Sequence, residues 1–255
     1  RLTTEQFIAR AVELGVDGVS LESCFIPFED PDCIPRLRRL LDDAGLERVW
    51  AWGHPGGFEG GKNEEALHDL KRHISIARAL GANTMRIVGG SSRTRHEPHG
   101  PQIERLSTML RDAVKTAAKH SVVLAIENHV DFTSEEIKQI LDNVGSDDLR
   151  VCFDSGNALR MFEDPVEAAR RLAPYTKATH TKDITVAKGG SPQEFIFWPS
   201  APLGRGLIDI PGVVQALLDA GYQDLICIEV DYLKEEFGLE DEAVAESVEF
   251  LKGLR

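Results

Sequence analysis

Four times along the chain an amphipathic helical stretch runs into a glycine and then, within a few residues, into a short apolar or β-branched run. The four segments are AVELGVDGVSL from Ala11, LLDDAGLERVWA from Leu40, ARALGANTMRI from Ala77 and LLDAGYQDLICI from Leu217. Glycine takes the left-handed conformation that closes a helix without a steric cost, so each segment reads as a helix-to-strand junction. Helices alternating with strands are the pattern of a parallel sheet assembled from βα units. Strands are expected at 18–22, 48–52, 84–88, 122–127, 150–154, 178–182 and 225–230. These are seven, whereas a closed barrel of such units has eight. The chain opens on a helix over 5–14 that Thr4 is expected to cap, so the first strand is expected to lie outside this sequence. A seven-stranded open sheet would leave two unprotected edges, and a single (β/α)8 barrel over residues 1–255 is therefore the expected fold.

Charge narrows the partners. Lys and Arg number 29 against 42 Asp and Glu, a formal net charge of −13 that repels nucleic-acid backbones and anionic membrane surfaces. The longest apolar runs are of strand length and no signal-like N-terminal segment is present, so a cytoplasmic protein is expected. The four cysteines, Cys24, Cys33, Cys152 and Cys227, form no C-x-x-C pair, and they read as buried free thiols of a reducing compartment.

In a parallel barrel the active site forms at the carboxyl ends of the strands. Polar residues end or interrupt four of the later strands: LAIENH stops at Glu127, VCFDSGN at Asp154, ATHTKD contains His180, and ICIEVD reaches Glu229. One acid at a strand end is commonly a helix cap, but four such residues in successive units are harder to assign that way. Three carboxylates converging on one volume repel one another unless a cation lies between them, and the mixed oxygen and nitrogen donors suit one divalent ion. Mn2+ is preferred, with Co2+, Mg2+ and Zn2+ chemically acceptable. His129, two residues past Glu127, shares its side of the chain if the strand stays extended, and is a candidate base. Lys182 alternates with His180 along a strand. Arg205 lies between Gly204 and Gly206, His54 just past a strand, and Arg86 inside one, so all four are candidate substrate contacts. Trp50 and Trp52 read as barrel packing, and His96 and His99 as surface residues. The long connection over 184–207 carries Phe195, Phe197 and Trp198 and reads either as a lid or as packing against the barrel rim or a second subunit.

The ordered set ENH, FDSGN, H-x-KD, G-x-G-x-ID and IEVD, spread over essentially the whole chain, resembles the sugar isomerase/epimerase superfamily of xylose isomerase-like TIM barrels. That superfamily includes the D-tagatose 3-epimerase-like and endonuclease IV-like groups. The resemblance implies a metal site at Glu127, Asp154, His180 and Glu229. It also implies that Glu127 and Glu229 flank the substrate and carry protons on opposite faces, and that Asn157 stands where related enzymes place a substrate-contacting histidine. A histidine there also serves the three-zinc cluster of the endonuclease IV group, so its absence argues against DNA repair, as does the charge.

The expected function is that of a metal-dependent isomerase or epimerase, moving a proton beside a sugar carbonyl that the ion polarises. The stretch ENHVDFTSEEI from Glu127 is also similar to the larger subunit of bacterial C-glycoside deglycosidases. That similarity implies, as an alternative, a lyase acting on 3-oxo-glycosides with His129 as base and a small partner subunit. A noncatalytic sugar-binding barrel is the third reading. The expected partners are a small carbohydrate and, by the habit of such barrels, further copies of the chain.

Overall fold

The computed structural model describes residues 2–54 and 56–254, in two compact units that meet at Cys152 and Phe153. The first unit runs α1 (Thr4–Leu14), β1 (Gly18–Glu22), α2 (Cys33–Asp43), β2 (Glu47–Ala51), α3 (Glu64–Leu80), β3 (Thr84–Ile87), α4 (His99–His120), β4 (Val123–Glu127) and α5 (Ser134–Val144), and enters β5 (Leu149–Asp154). Each strand pairs in parallel with the next: β1 with β2, β2 with β3, β3 with β4 and β4 with β5. A parallel neighbour can be reached only by a crossover, and the intervening helices supply it.

The helices take their places through apolar stripes. Along α3, Ala66, Leu70, Ile74 and Ala77 recur every three or four residues, and all are fully buried. Burying a side chain of Leu or Ile size stabilises the fold by roughly 1.5–3 kcal/mol. Trp50 and Trp52 are both at 0% exposure, so they pack the interior as their burial tendency suggested. The junction glycines Gly15, Gly45 and Gly81 have φ of 63°, 66° and 90°, the left-handed conformation the sequence pattern required.

Two expectations in this unit need correction. Thr3, rather than Thr4, caps α1, because its extended backbone lets its hydroxyl accept from the Gln6 amide at 3.2 Å while the Gln6 side chain accepts from the Thr3 amide at 2.9 Å. His99 is a half-buried first residue of α4, held by Glu136 at 2.6 Å and by the Arg95 carbonyl at 2.9 Å, and set edge-on to Phe132. Of the cysteines, Cys33 and Cys152 are buried free thiols, whereas Cys24 is exposed.

The second unit takes in the last two residues of β5 and continues through α6 (Ser155–Arg160), α7 (Pro165–Leu172), β6 (Thr176–His180), β7 (Asp183–Ile184), β8 (Ser200–Ala201), α8 (Ile210–Asp219) and α9 (Glu240–Lys252). The expected strand at 225–230 is reduced, among the described residues, to a parallel bridge between Ile228 and Thr181. The reason lies in a side chain of β6. The Thr179 hydroxyl accepts from the Cys227 amide at 3.0 Å and donates to the Leu225 carbonyl at 3.1 Å, taking hydrogen bonds that a strand ladder would have used.

The long 184–207 connection is more ordered than a simple loop. β7 and β8 pair antiparallel, and the ladder is extended by Thr185 donating to Pro199 and Ala187 to Phe197, each at 2.8 Å. An arm results, turning beyond Lys188 through Gly189 and Gly190, whose φ values of 78° and 81° are open to glycine at no cost.

Candidate metal centre

Strand β5 ends at Asp154, and the chain turns at once into α6, which makes Asp154 the N-cap of that helix. Its Oδ1 accepts from the Asn157 amide at 2.8 Å and its Oδ2 from the Asn157 side chain at 2.8 Å, so the carboxylate is fixed at both oxygens. His180 closes β6. The bridge beside it, with Glu229 donating its backbone amide to the Thr181 carbonyl at 3.1 Å, brings Glu229 alongside. Donor atoms of Asp154, His180 and Glu229 all lie within 4.8 Å of one another. A divalent ion bound at about 2.1 Å separates its ligand atoms by roughly 3–4.2 Å, so these three side chains fit such an ion with adjustments below an ångström.

Lys182 lies just past the end of β6, held by a reciprocal pair of hydrogen bonds with Ser155: its carbonyl accepts from the Ser155 hydroxyl at 2.7 Å, and its amide donates back at 2.9 Å. Its ammonium is 2.9 Å from Asp154, 3.3 Å from Glu229 and 2.9 Å from Asp231. Arg160, buried at the end of α6, donates to Asp231 at 3.0 Å and to the Asn157 side-chain oxygen Oδ1 at 3.0 Å. With His180 neutral, as a metal ligand must be, the three carboxylates Asp154, Glu229 and Asp231 against the cations Lys182 and Arg160 sum to one negative charge, a surplus that suits a further cation. Glu229, half-buried and carrying 27% side-chain exposure, is the most accessible of the three candidate ligands; its Oε2 is 2.6 Å from His180 Nδ1. Asp183 anchors the approach, its carboxylate accepting from the amides of Gly204, Gly206 and Ile208; burial raises its pKa against the pull of those bonds.

In the first unit Glu127 ends β4 fully buried and is ion-paired with Arg86 of β3. Arg86 also reaches the Trp52 carbonyl at 3.4 Å and Glu22 at 3.9 Å. Because β4 stops at Glu127, the strand alternation does not extend to His129, which is half-buried in the following loop. His54 is half-buried and stacked on Trp52 with ring centroids 5.2 Å apart. Arg205 is exposed, ion-paired with Glu246 at 3.2 Å, and lies over the Phe237 ring. Asn157 is committed to Asp154 and Arg160, which makes it an orienting group for a ligand.

Sequence reasoning passed over three participants. Asp231 lies two residues after Glu229, a spacing that itself signals a shared face. Arg160 reads in sequence as a basic residue ending a helix, which gives no sign of burial. Asp131 is a fully buried acid in the loop after β4, accepting from the Phe132 amide at 3.1 Å. Burial pushes its carboxyl up to about 7 against backbone hydrogen bonds, and the Glu127 charge adds to the rise.

A model of the xylose isomerase-like TIM barrel family matches residues 8–254, and the chain belongs to that family. The 3-oxo-isoapionate decarboxylase of Pectobacterium atrosepticum is 24% identical over 187 residues, covering 73% of this chain but only 62% of its own length. A solved L-ribulose 3-epimerase is similar with a TM-score of 0.78 at 20% identity, over 98% of this chain and 87% of that one. The IOLI protein, solved with a zinc atom, gives a TM-score of 0.79 at 17% identity over 99% and 93%. These likenesses show the fold, an α/β TIM barrel, and place epimerases and a decarboxylase among the relatives. Among the described residues no helix is long and apolar enough to cross a membrane.

Proposed function

We propose that the chain is a divalent-metal-dependent enzyme that moves a proton at the carbon beside a sugar carbonyl, and so interconverts isomeric or epimeric sugars. The observation that carries this reading is the convergence of Asp154, His180 and Glu229 donors within 4.8 Å, beside a buried lysine. The family resemblance adds Glu127 as the fourth ligand. Mn2+ is the preferred ion. When bound, the ion would polarise the substrate carbonyl and acidify the neighbouring C–H.

The chain's own residues do the rest. Glu229 offers a carboxylate reachable from solvent and serves as one proton carrier, while Glu127 serves as the other, with His129 as the alternative base. Lys182 holds negative charge that develops on a substrate oxygen, since its three donors point among the carboxylates where such an oxygen would arrive. Asn157 keeps Asp154 in one orientation, which is the role outer partners of metal ligands usually have.

A second reading, bond cleavage in a 3-oxo sugar derivative, is favoured by one observation, the relative named as a 3-oxo-isoapionate decarboxylase. The same proton removal would begin it. The test is metal content by plasma mass spectrometry for the wild type, Glu229→Gln and His180→Ala, followed by ketoses and 3-oxo-glycosides incubated in deuterated water. Stoichiometric metal lost in both variants, with deuterium entering a ketose, supports the first reading; a cleaved product supports the second. A wild type that takes up no divalent metal after reconstitution overturns both.

A further inference from the structure

We infer that Arg160 is a positioning residue that couples the 185–199 arm to the carboxylate cluster; the inference rests on the metal-dependent reading above. The Arg160 side chain is 2% exposed, and it makes contacts of two kinds. On one side it donates to Asn157 and Asp231, which in turn hold Asp154 and the Lys182 ammonium. On the other it donates to the Trp198 carbonyl at 3.1 Å, and its guanidinium lies 4.2 Å from the centre of the Phe195 ring. Both arm contacts fall on the half of the arm that returns toward β8, in and just after a 3-10 turn at Phe195–Phe197. Within the arm, the ladder and Trp198 donating from its ring to the Pro192 carbonyl at 2.8 Å tie the two halves together.

A planar guanidinium with a fixed fork of donors is suited to this bridging. Turning it to follow a displaced arm would misalign its bonds to Asp231 and Asn157, and a lysine carries its three donors on a single nitrogen, without the span of the guanidinium fork. The arm's position is thereby read by Asp231, and through the Lys182 ammonium by Asp154 and Glu229. Occupation of the three ligands by a divalent ion redistributes the charge that Lys182 and Arg160 share, and coupling of this kind is reciprocal: the arm that favours the ion is favoured by it. Phe195, at 46% exposure, is the replaceable half of the latch, since a surface side chain can be truncated with little effect on folding.

Lys188 lies exposed at the tip of the arm, so cleavage between Lys188 and Gly189 by a lysine-specific endoprotease, read by intact mass, reports how often the arm leaves its seat. In chelator, Phe195→Ala and Arg160→Lys are expected to be cut there at least about threefold faster than the wild type, the loss of a partly exposed cation–π contact being of that order. Saturating Mn2+ should protect the wild-type site and protect Arg160→Lys less. By reciprocity Phe195→Ala should bind Mn2+ more weakly by the factor of protection it has lost. If Arg160→Lys does not fold, as judged by circular dichroism, Phe195→Ala carries both measurements. Equal cleavage of wild type and variants, or Mn2+ protection that is absent in wild type or undiminished in the variants, overturns the coupling while leaving the metal reading intact. A wild type that binds no Mn2+ overturns both.

Discussion

Replacing Asp131 by Asn should make the protein more stable at alkaline pH than at acid pH, relative to wild type. The side chain is 1% exposed, and burial, with the Glu127 charge adding to it, raises its pKa from the ordinary 3.8 to about 7. Between these values the unfolded chain has released the proton that the native protein still holds, so native stability falls as pH rises, and it levels off once the native carboxyl also ionises. At about 1.4 kcal/mol for each pH unit, the full cost of ionising Asp131 in place is about 4 kcal/mol. About 1.6 kcal/mol of that is already spent at about pH 5, leaving about 3 kcal/mol to develop by about pH 8.5. Asn has no such ionisation. It does lose one acceptor for the Gly90 or Phe132 amide, but that penalty is the same at both pH values and drops out of the difference. Urea unfolding of metal-free wild type and Asp131→Asn at the two pH values measures the quantity directly. A stability difference between the two proteins that stays within about 1 kcal/mol across the range would refute the buried, proton-retaining carboxyl.

Arg86→Met removes the ion pair to the fully buried Glu127 and is expected to cost about 3–5 kcal/mol in denaturant unfolding of the metal-free protein; Arg86→Met combined with Glu127→Leu should recover most of it, and a single variant within about 1 kcal/mol of wild type would refute the pairing. Burial lowers the His99 pKa, but bonds to the Arg95 carbonyl and Glu136 more than offset that and raise it, so its contribution is present at acid pH and lost as pH rises through the folded value. His99→Gln should accordingly destabilise more at about pH 5.5 than at about pH 9, and an equal loss at both would contradict the assignment. A Cβ on Gly156 would come within 2.9 Å of the Lys182 Cβ, so Gly156→Ala should lower stability by about 1–3 kcal/mol; an unchanged melting temperature would argue against that close approach.

The sequence discloses the skeleton because its signals are local. A glycine at Gly15, Gly45, Gly81 or Gly221 ends a helix by its own conformational freedom, and all four positions have positive φ. The strand ends at Glu127 and Asp154 are legible for a similar reason, an apolar run stopping at an acid. What stayed hidden depends on pairing at a distance. Nothing in LLDAGYQDLICIEVD announces that the Thr179 hydroxyl, some 46 residues away from Leu225, will take up backbone groups of that run and prevent a regular strand. Arg160 likewise looks like a basic residue placed to complement a helix C-terminus, and only the approach of Asp231, 71 residues on, turns it into a buried cation.

The cluster also revises the physical case for a metal. Mutual repulsion among converging acids is an argument for a cation, but it does not specify which cation. Here Asp154, Glu229 and Asp231 already meet the Lys182 ammonium, and Asp231 meets Arg160 as well. The chain's own cations therefore let these acids be brought together and folded, and the need to relieve repulsion cannot by itself demand an ion. Geometry and charge together still favour an ion: a carboxylate held at both oxygens by Asn157, an imidazole closing a strand, and a second, more accessible carboxylate, all with donor atoms within 4.8 Å, in a cluster that carries one negative charge while His180 is neutral. A lysine that stabilises this arrangement is also the group best placed to meet an anionic oxygen once an ion has taken its share of the carboxylates. The same side chain can thus support folding of the cluster and binding of a substrate, which is why its position among three acids, rather than the acids alone, points to chemistry at this place in the fold.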